Sequence, residues 1–133
     1  MKLIKNNGGR PKDKLKGTGD CVCRSVSIVT GIPYKKIRNK LINLGIKNPD
    51  NGVYFKQQSK LMYSLGYYWI SCMRKNRKDN KYLIESDLPF GKLIVLMKGH
   101  STAVIDKIIH DNFNPNNIFT RQIKGYFKKR RIE

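Results

Sequence analysis

The sequence predicts an α+β domain in which N-terminal helices pack on a C-terminal antiparallel sheet, and three observations carry that expectation. Helical spacing of apolar residues dominates as far as Gly66, short runs rich in β-branched and aromatic residues dominate after it, and the changeover happens once. At 133 residues the chain amounts to a single domain, 1–133, long enough to bury one core without staples.

Each element follows from local chemistry. Residues 1–19 are rich in Gly, Asn, Lys and Pro without a sustained period and read as an N-terminal arm. Asp20 then stands at an N-cap position, with Cys21 in the first turn, Val22, Val26 and Val29 or else Ser25 and Ile28 offering an apolar or small face, and Thr30-Gly31 as the stop. A second helix starts near Pro33, carries Ile37, Leu41 and Leu44 on one stripe and stops at Gly45. The third follows Asn51-Gly52, sets Phe55, Gln58, Leu61, Met62 and Leu65 at helical spacing and stops at Gly66. Beyond it, YYWISCM has the composition of a strand, and Tyr67, Tyr68 and Trp69 read as strand and cleft-wall residues. The polar run RKNRKDNK leads on to KLIVLMK, a buried strand, and then to HSTAVID and KIIHDNF. Residues 124–133 close the chain as a basic tail.

Composition narrows the function classes. No apolar run approaches the roughly 18 residues of a membrane span, and the N-terminus MKLIKNNGGRPK has basic residues but no apolar core of a signal peptide, so a cytoplasmic product with no membrane partner is expected. Three cysteines, an odd number, suggest reduced thiols. Cys21 and Cys23 with the scattered Cys72, His100 and His110 match no zinc spacing, so neither metal nor cofactor is expected. The 28 basic residues against 9 acidic ones give a net charge of +19, which calls for a polyanion such as nucleic acid or follows from the Lys-, Asn- and Ile-rich coding of an AT-rich genome. Lys124, Lys128, Lys129, Arg130 and Arg131, beside Tyr126 and Phe127, form the densest candidate surface for phosphate contact and stacking.

Cys21 holds the most informative position. A helix start exposes unpaired N–H groups and the positive end of the helix dipole, and both favour a thiolate over a thiol. A two-residue turn at Asp106-Lys107 would pair Val104 with Ile109 and Thr102 with Asp111, so that His100, Thr102 and Asp111 share one face. The diagonal from His100 to Asp111 is then about 7 Å between backbones, within hydrogen-bonding reach of the side chains, whereas His110 falls on the opposite face. Lys107 is an unusual residue for the positive φ of such a turn, where glycine is preferred. Thiol, imidazole and carboxylate thus stand in the order that nucleophilic cysteine catalysis uses: Cys21 attacks, His100 takes its proton and Asp111 fixes the imidazole. The N–H of Cys21 is one natural oxyanion donor, and Thr18 or an asparagine of the arm is the candidate for the second. Leu15, six residues before Cys21, offers no side-chain donor. Arg24, one turn after Cys21, reads as a brace for Asp20 or the preceding loop, with a substrate carboxylate as the alternative partner.

GRPKDKLKGTGDCVCRSVSIVTGIPYKKI and DLPFGKLIVLMKGHSTAVIDKIIHDNFNP together resemble a family of small, mostly uncharacterised phage and bacterial proteins with a papain-like cysteine-peptidase layout. The DCVxR pattern over Asp20–Arg24 carries the likeness, which extends over the two end thirds of the chain. The resemblance implies a papain-like fold and a cysteine-dependent hydrolase, peptidase or isopeptidase in kind, with Cys21, His100 and Asp111 as its triad, a protein or peptide substrate and a phage or mobile-element origin. The family's usual glycine after Asp106 is Lys107 here. GKLIVLMKGHSTAVID also resembles the histidine-bearing strand of CHAP-type peptidoglycan amidases. A different class of function would keep the fold with an idle site, as a nucleic-acid-binding or virion-associated protein.

Overall fold

The computed structural model describes residues 3–10, 19–72, 88–97, 99–111 and 123–130. Among them three helices precede most of a six-stranded mixed sheet: β1 (Leu3–Lys5), α1 (Cys21–Thr30), α2 (Tyr34–Asn43), α3 (Phe55–Ser64), β2 (Tyr67–Ser71), β3 (Lys92–Met97), β4 (His100–Ile105), β5 (Ile108–Asp111) and β6 (Ile123–Lys129). The sheet runs β1-β5-β4-β3-β6-β2 and is antiparallel except where β1 lies parallel to β5.

The helices form where the apolar spacing placed them. Gly31 ends α1 in the left-handed conformation at φ 75°, and its N–H reaches Ser27 O at 2.9 Å. Asp20 precedes α1 without capping it, since its side chain makes no hydrogen bond to the helix start. A lost cap costs about 1 kcal/mol. Val22, Val26 and Val29, all within 3% of full burial, gain roughly 1.5 kcal/mol or more each. Burial decides, and the Asp20 carboxylate is left for another use.

The core lies on both faces of the sheet. On one face Val22, Cys23 and Val26 of α1, Ile37 and Leu41 of α2 and Met62 of α3 pack on Ile94, Ala103 and Phe127. On the other, Leu93, Val95, Val104, Ile109 and Ile123 form a second cluster with Leu88.

Two segments depart from the sequence reading. Within the 1–19 arm, Leu3–Lys5 adds a parallel edge strand to β5, and Asn6 N–H continues the ladder to Asp111 O at 3.2 Å. In the basic tail, Ile123–Lys129 is an interior strand paired on both sides, with β3 and β2. Along it the buried Ile123, Gly125 and Phe127 alternate with the more exposed Lys124, Tyr126 and Lys128.

The Asp106-Lys107 turn forms as the register requires. Both residues take positive φ, 50° and 64°, and the flanking pairs are Ile105 with Ile108, Val104 with Ile109 and Ala103 with His110. Lys107 accepts the left-handed backbone in place of glycine. Asp106 ties the turn to β3 through its N–H to Gly91 O and its carboxylate to Gly91 N–H, both 2.9 Å, while the Lys107 ammonium lies 4.7 Å from the Phe90 ring centroid.

Candidate active site

Cys21 is the first residue of α1, His100 the first of β4 and Asp111 the last of β5. The turn register, continued one residue past the Ala103–His110 pair, sets Asp111 diagonal to His100, and His100 Nε2 lies 2.7 Å from Asp111 Oδ2. With an ionised carboxylate as partner, Nε2 carries the hydrogen. The Cys21 side chain hydrogen-bonds the same imidazole, for which Nδ1 remains. Thiol, imidazole and carboxylate therefore form one hydrogen-bonded series. His110 stands across from Ala103, outside it.

The surroundings favour charge separation within this series. Burial pushes the Cys21 thiol up, but the hydrogen bond and charge of His100, the Ser101 N–H and the Arg24 charge outweigh it, and the net shift is down. For His100, burial acts downward; the hydrogen bond to Asp111, followed by that to Cys21 and both their charges, overrides it and raises the imidazole to about 9. Both shifts favour a thiolate beside an imidazolium over the neutral pair. Cys23, two residues on, behaves oppositely: fully buried in the core, its thiol is pushed up to about 12 by desolvation, with Asp20 adding to the rise.

Behind the series lies a buried ionic network. Arg24 reaches Asp111 Oδ1 through Nη1 at 3.3 Å and Asp20 Oδ1 through Nε at 3.0 Å, with its side chain 5% exposed. Asp20, wholly buried, also accepts Tyr34 Oη–H at 2.6 Å and Arg10 Nη1–H at 3.3 Å. Arg24 thus braces Asp20, as its spacing suggested, and Asp111 as well. Buried carboxylates are tolerated only with such partners.

Cys21 and His100 open on a cleft of about 690 Å³ between α3 and the end of the sheet. Val53, Phe55, Trp69, Leu96 and Met97 supply its apolar wall, and Gln58, Asn51 and Lys124 its polar lining. Trp69 stands in that wall because Gly125 lets its ring lie against β6, where a Cβ would come within 2.5 Å of Trp69 Cζ2. Phe55 and Phe127 pack on the ring at centroid distances of 4.9 and 5.0 Å. A parallel bridge between Gly19 and Asn51 brings the residues before Cys21 alongside the cleft rim.

Gln58 was the residue the sequence reading passed over. It is 2% exposed, lines the cleft, and its amide lies 3.3 Å from Ser101 Oγ, next to the N–H that bonds the Cys21 sulfur. Its signal was a polar residue on the apolar stripe of α3. Thr18, the candidate second oxyanion donor, and Arg131 lie outside the described residues, as does Leu15. The other basic candidates separate: Lys124 lines the Cys21 cleft, while Lys128 and Lys129 join Lys92 along a second concavity of about 360 Å³ beside Thr30 and Tyr67. Arg130 is exposed, and its N–H bonds Gly66 O at 2.8 Å. Among the described residues no three His, Cys, Asp or Glu side chains converge as metal ligands would, and no helix is long and apolar enough to cross a membrane. No family model, curated protein or solved structure matches the chain.

Proposed function

We propose that the chain is a cysteine-dependent hydrolase of papain-like layout that cleaves an amide or thioester in a protein or peptide substrate. The observation that carries this reading is the hydrogen-bonded series Cys21–His100–Asp111 at the edge of a cleft large enough for a peptide segment. In the first step the Cys21 thiolate adds to the substrate carbonyl carbon, and the carbonyl electrons move to oxygen. The oxyanion is met by the Cys21 N–H at the helix start and by the Gln58 side-chain amide, which has a second N–H beyond the one facing Ser101. The His100 imidazolium then gives its proton to the leaving amine or thiol as the carbonyl re-forms, leaving a thioester on Cys21. Water, deprotonated by the now neutral His100, attacks that thioester, and collapse of the second tetrahedral species releases the carboxylic acid and restores the thiolate–imidazolium pair. Asp111 holds the ring and stabilises its charge throughout.

A second reading rests on the concavity lined by Lys92, Lys128 and Lys129, which suits phosphate better than peptide and would support nucleic-acid or virion association. The deciding experiment exposes purified protein to fluorogenic peptide and isopeptide pools and to peptidoglycan fragments. Hydrolysis is expected in the wild type and is expected to vanish in Cys21→Ala. Turnover surviving in Cys21→Ala, or none from the wild type on any pool, overturns the hydrolase reading.

A further inference from the structure

Lys124 stands out from the other basic residues in where the backbone puts it. In the β3–β6 ladder Leu96 pairs with Gly125 and Met97 with Ile123, which leaves Lys124 as the extra residue of a β-bulge. The bulge also explains a change of face. Ile123 packs in the cluster on one side of the sheet and Phe127 in the cluster on the other, although strand residues four apart share a face in an unbroken ladder. The Lys124 carbonyl is held by Cys72 N–H at 2.9 Å, so the switch point is anchored while the exposed side chain is directed to the Cys21 cleft. There it meets an apolar wall and, among the described residues lining the cleft, no Asp or Glu. An apolar surface ending in an ammonium, with no carboxylate among the described lining, is complementary to a group that is apolar and anionic at once.

Building on the hydrolase reading, we propose that the cleft selects substrates carrying a carboxylate beside a large apolar side chain, with Lys124 as the specificity residue that meets the carboxylate. Val53, Phe55, Trp69, Leu96 and Met97 take the apolar group, and the bulge holds the cation at a set distance from it. Bulges recur where a strand must re-aim a side chain at a site.

The test uses two alkylating probes that differ in one charge, N-chloroacetyl-phenylalanine and its C-terminal amide. In both, the Cys21 thiolate displaces chloride, forming a C–S bond as the C–Cl bond breaks. The ratio of their rates cancels any change in thiolate fraction. Mass spectrometry of the alkylated peptide gives the rate at Cys21. The wild-type ratio should favour the carboxylate, should fall about threefold to fivefold in Lys124→Gln, as befits an exposed charge pair, and should fall further in Lys124→Glu. Equal ratios in all three proteins overturn the assignment of Lys124 while leaving the nucleophile in place. Alkylation of Cys21 no faster than that of Cys72 overturns the nucleophile itself, and the specificity proposal with it.

Discussion

Replacing Asp111 by Asn isolates the part of the site that raises the His100 imidazole. Asn keeps the size of the side chain and an oxygen that accepts from Nε2, but its NH2 group replaces the oxygen that accepts from Arg24, so the change removes the carboxylate charge together with the Arg24–Asp111 pair while the Arg24–Asp20 pair stays. In the wild type the imidazole is raised from 6.5 to about 9 against the downward pull of its own burial. A hydrogen bond to a charged partner contributes about 1.5–3 kcal/mol, or one to two pKa units at about 1.36 kcal/mol per unit. The sign follows directly: without the anion the imidazolium is less stable, so His100 loses its proton at lower pH, between about 7 and 8. Hydrolysis needs thiolate and imidazolium together, so its acid limb follows the lowered Cys21 thiol and its alkaline limb follows His100. Only the alkaline limb is displaced far. The chain has two histidines, so proton NMR titration of the ring resonances, assigned with His110→Ala, reads His100 without any substrate. An unchanged His100 titration in Asp111→Asn would refute the electrostatic account of the site.

Three further outcomes are expected. His100→Ala should abolish hydrolysis while His110→Ala leaves it near wild type, because the hairpin sets the two rings on opposite faces; activity assays on both variants check this, and reversed effects would put the base at His110. Lys107→Gly should stabilise the fold by about 1 kcal/mol in urea unfolding, since it relieves roughly 1–2 kcal/mol of left-handed backbone cost and forfeits about 0.5 kcal/mol of contact with Phe90; destabilisation would show that the ammonium matters more than the φ angle. Gly125→Ala should cost about 2 kcal/mol or more and disturb the cleft, because the added methyl collides with Ile70 O and the Trp69 ring; thermal unfolding together with Trp69 fluorescence measures both effects.

What was legible in the sequence were the features written in short-range patterns. Apolar spacing and glycine stops located all three helices, and face alternation about two residues paired His100 with Asp111 across 11 positions. Where charge and periodicity compete, the pattern is harder to see. In β6 the lysines that make the segment look like a tail alternate with the buried Ile123, Gly125 and Phe127. The small Gly125 interrupts the apolar alternation because it makes room for Trp69, and the bulge at Lys124 breaks its phase. β1 has three residues, too few for any period, and owes its existence to the open edge of β5. The links from Asp20 to Tyr34 and from Arg24 to Asp111 join groups 14 and 87 positions apart, which local spacing does not encode.

The long-range links also explain why the cysteine sits directly after Asp20. An acidic residue at the helix start would ordinarily cap the helix, and an uncompensated carboxylate there would oppose a neighbouring thiolate. Asp20 does neither, because Arg24, Arg10 and Tyr34 take up its oxygens. Following the contacts outward from the sulfur, the charges alternate once the thiol has ionised: thiolate of Cys21, imidazolium of His100, carboxylate of Asp111, guanidinium of Arg24, carboxylate of Asp20, guanidinium of Arg10. Each charge lies next to opposite ones, and the set of six is neutral as a whole, which is the condition for burying its inner members, Arg24, Asp20 and Asp111. Arg24 is the pivot, because it both steadies the carboxylate that raises His100 and lowers the Cys21 thiol by its own charge. A cysteine one turn before an arginine and one residue after an aspartate is therefore the local trace of an ionic network whose other half, His100 and Asp111, is delivered by the sheet.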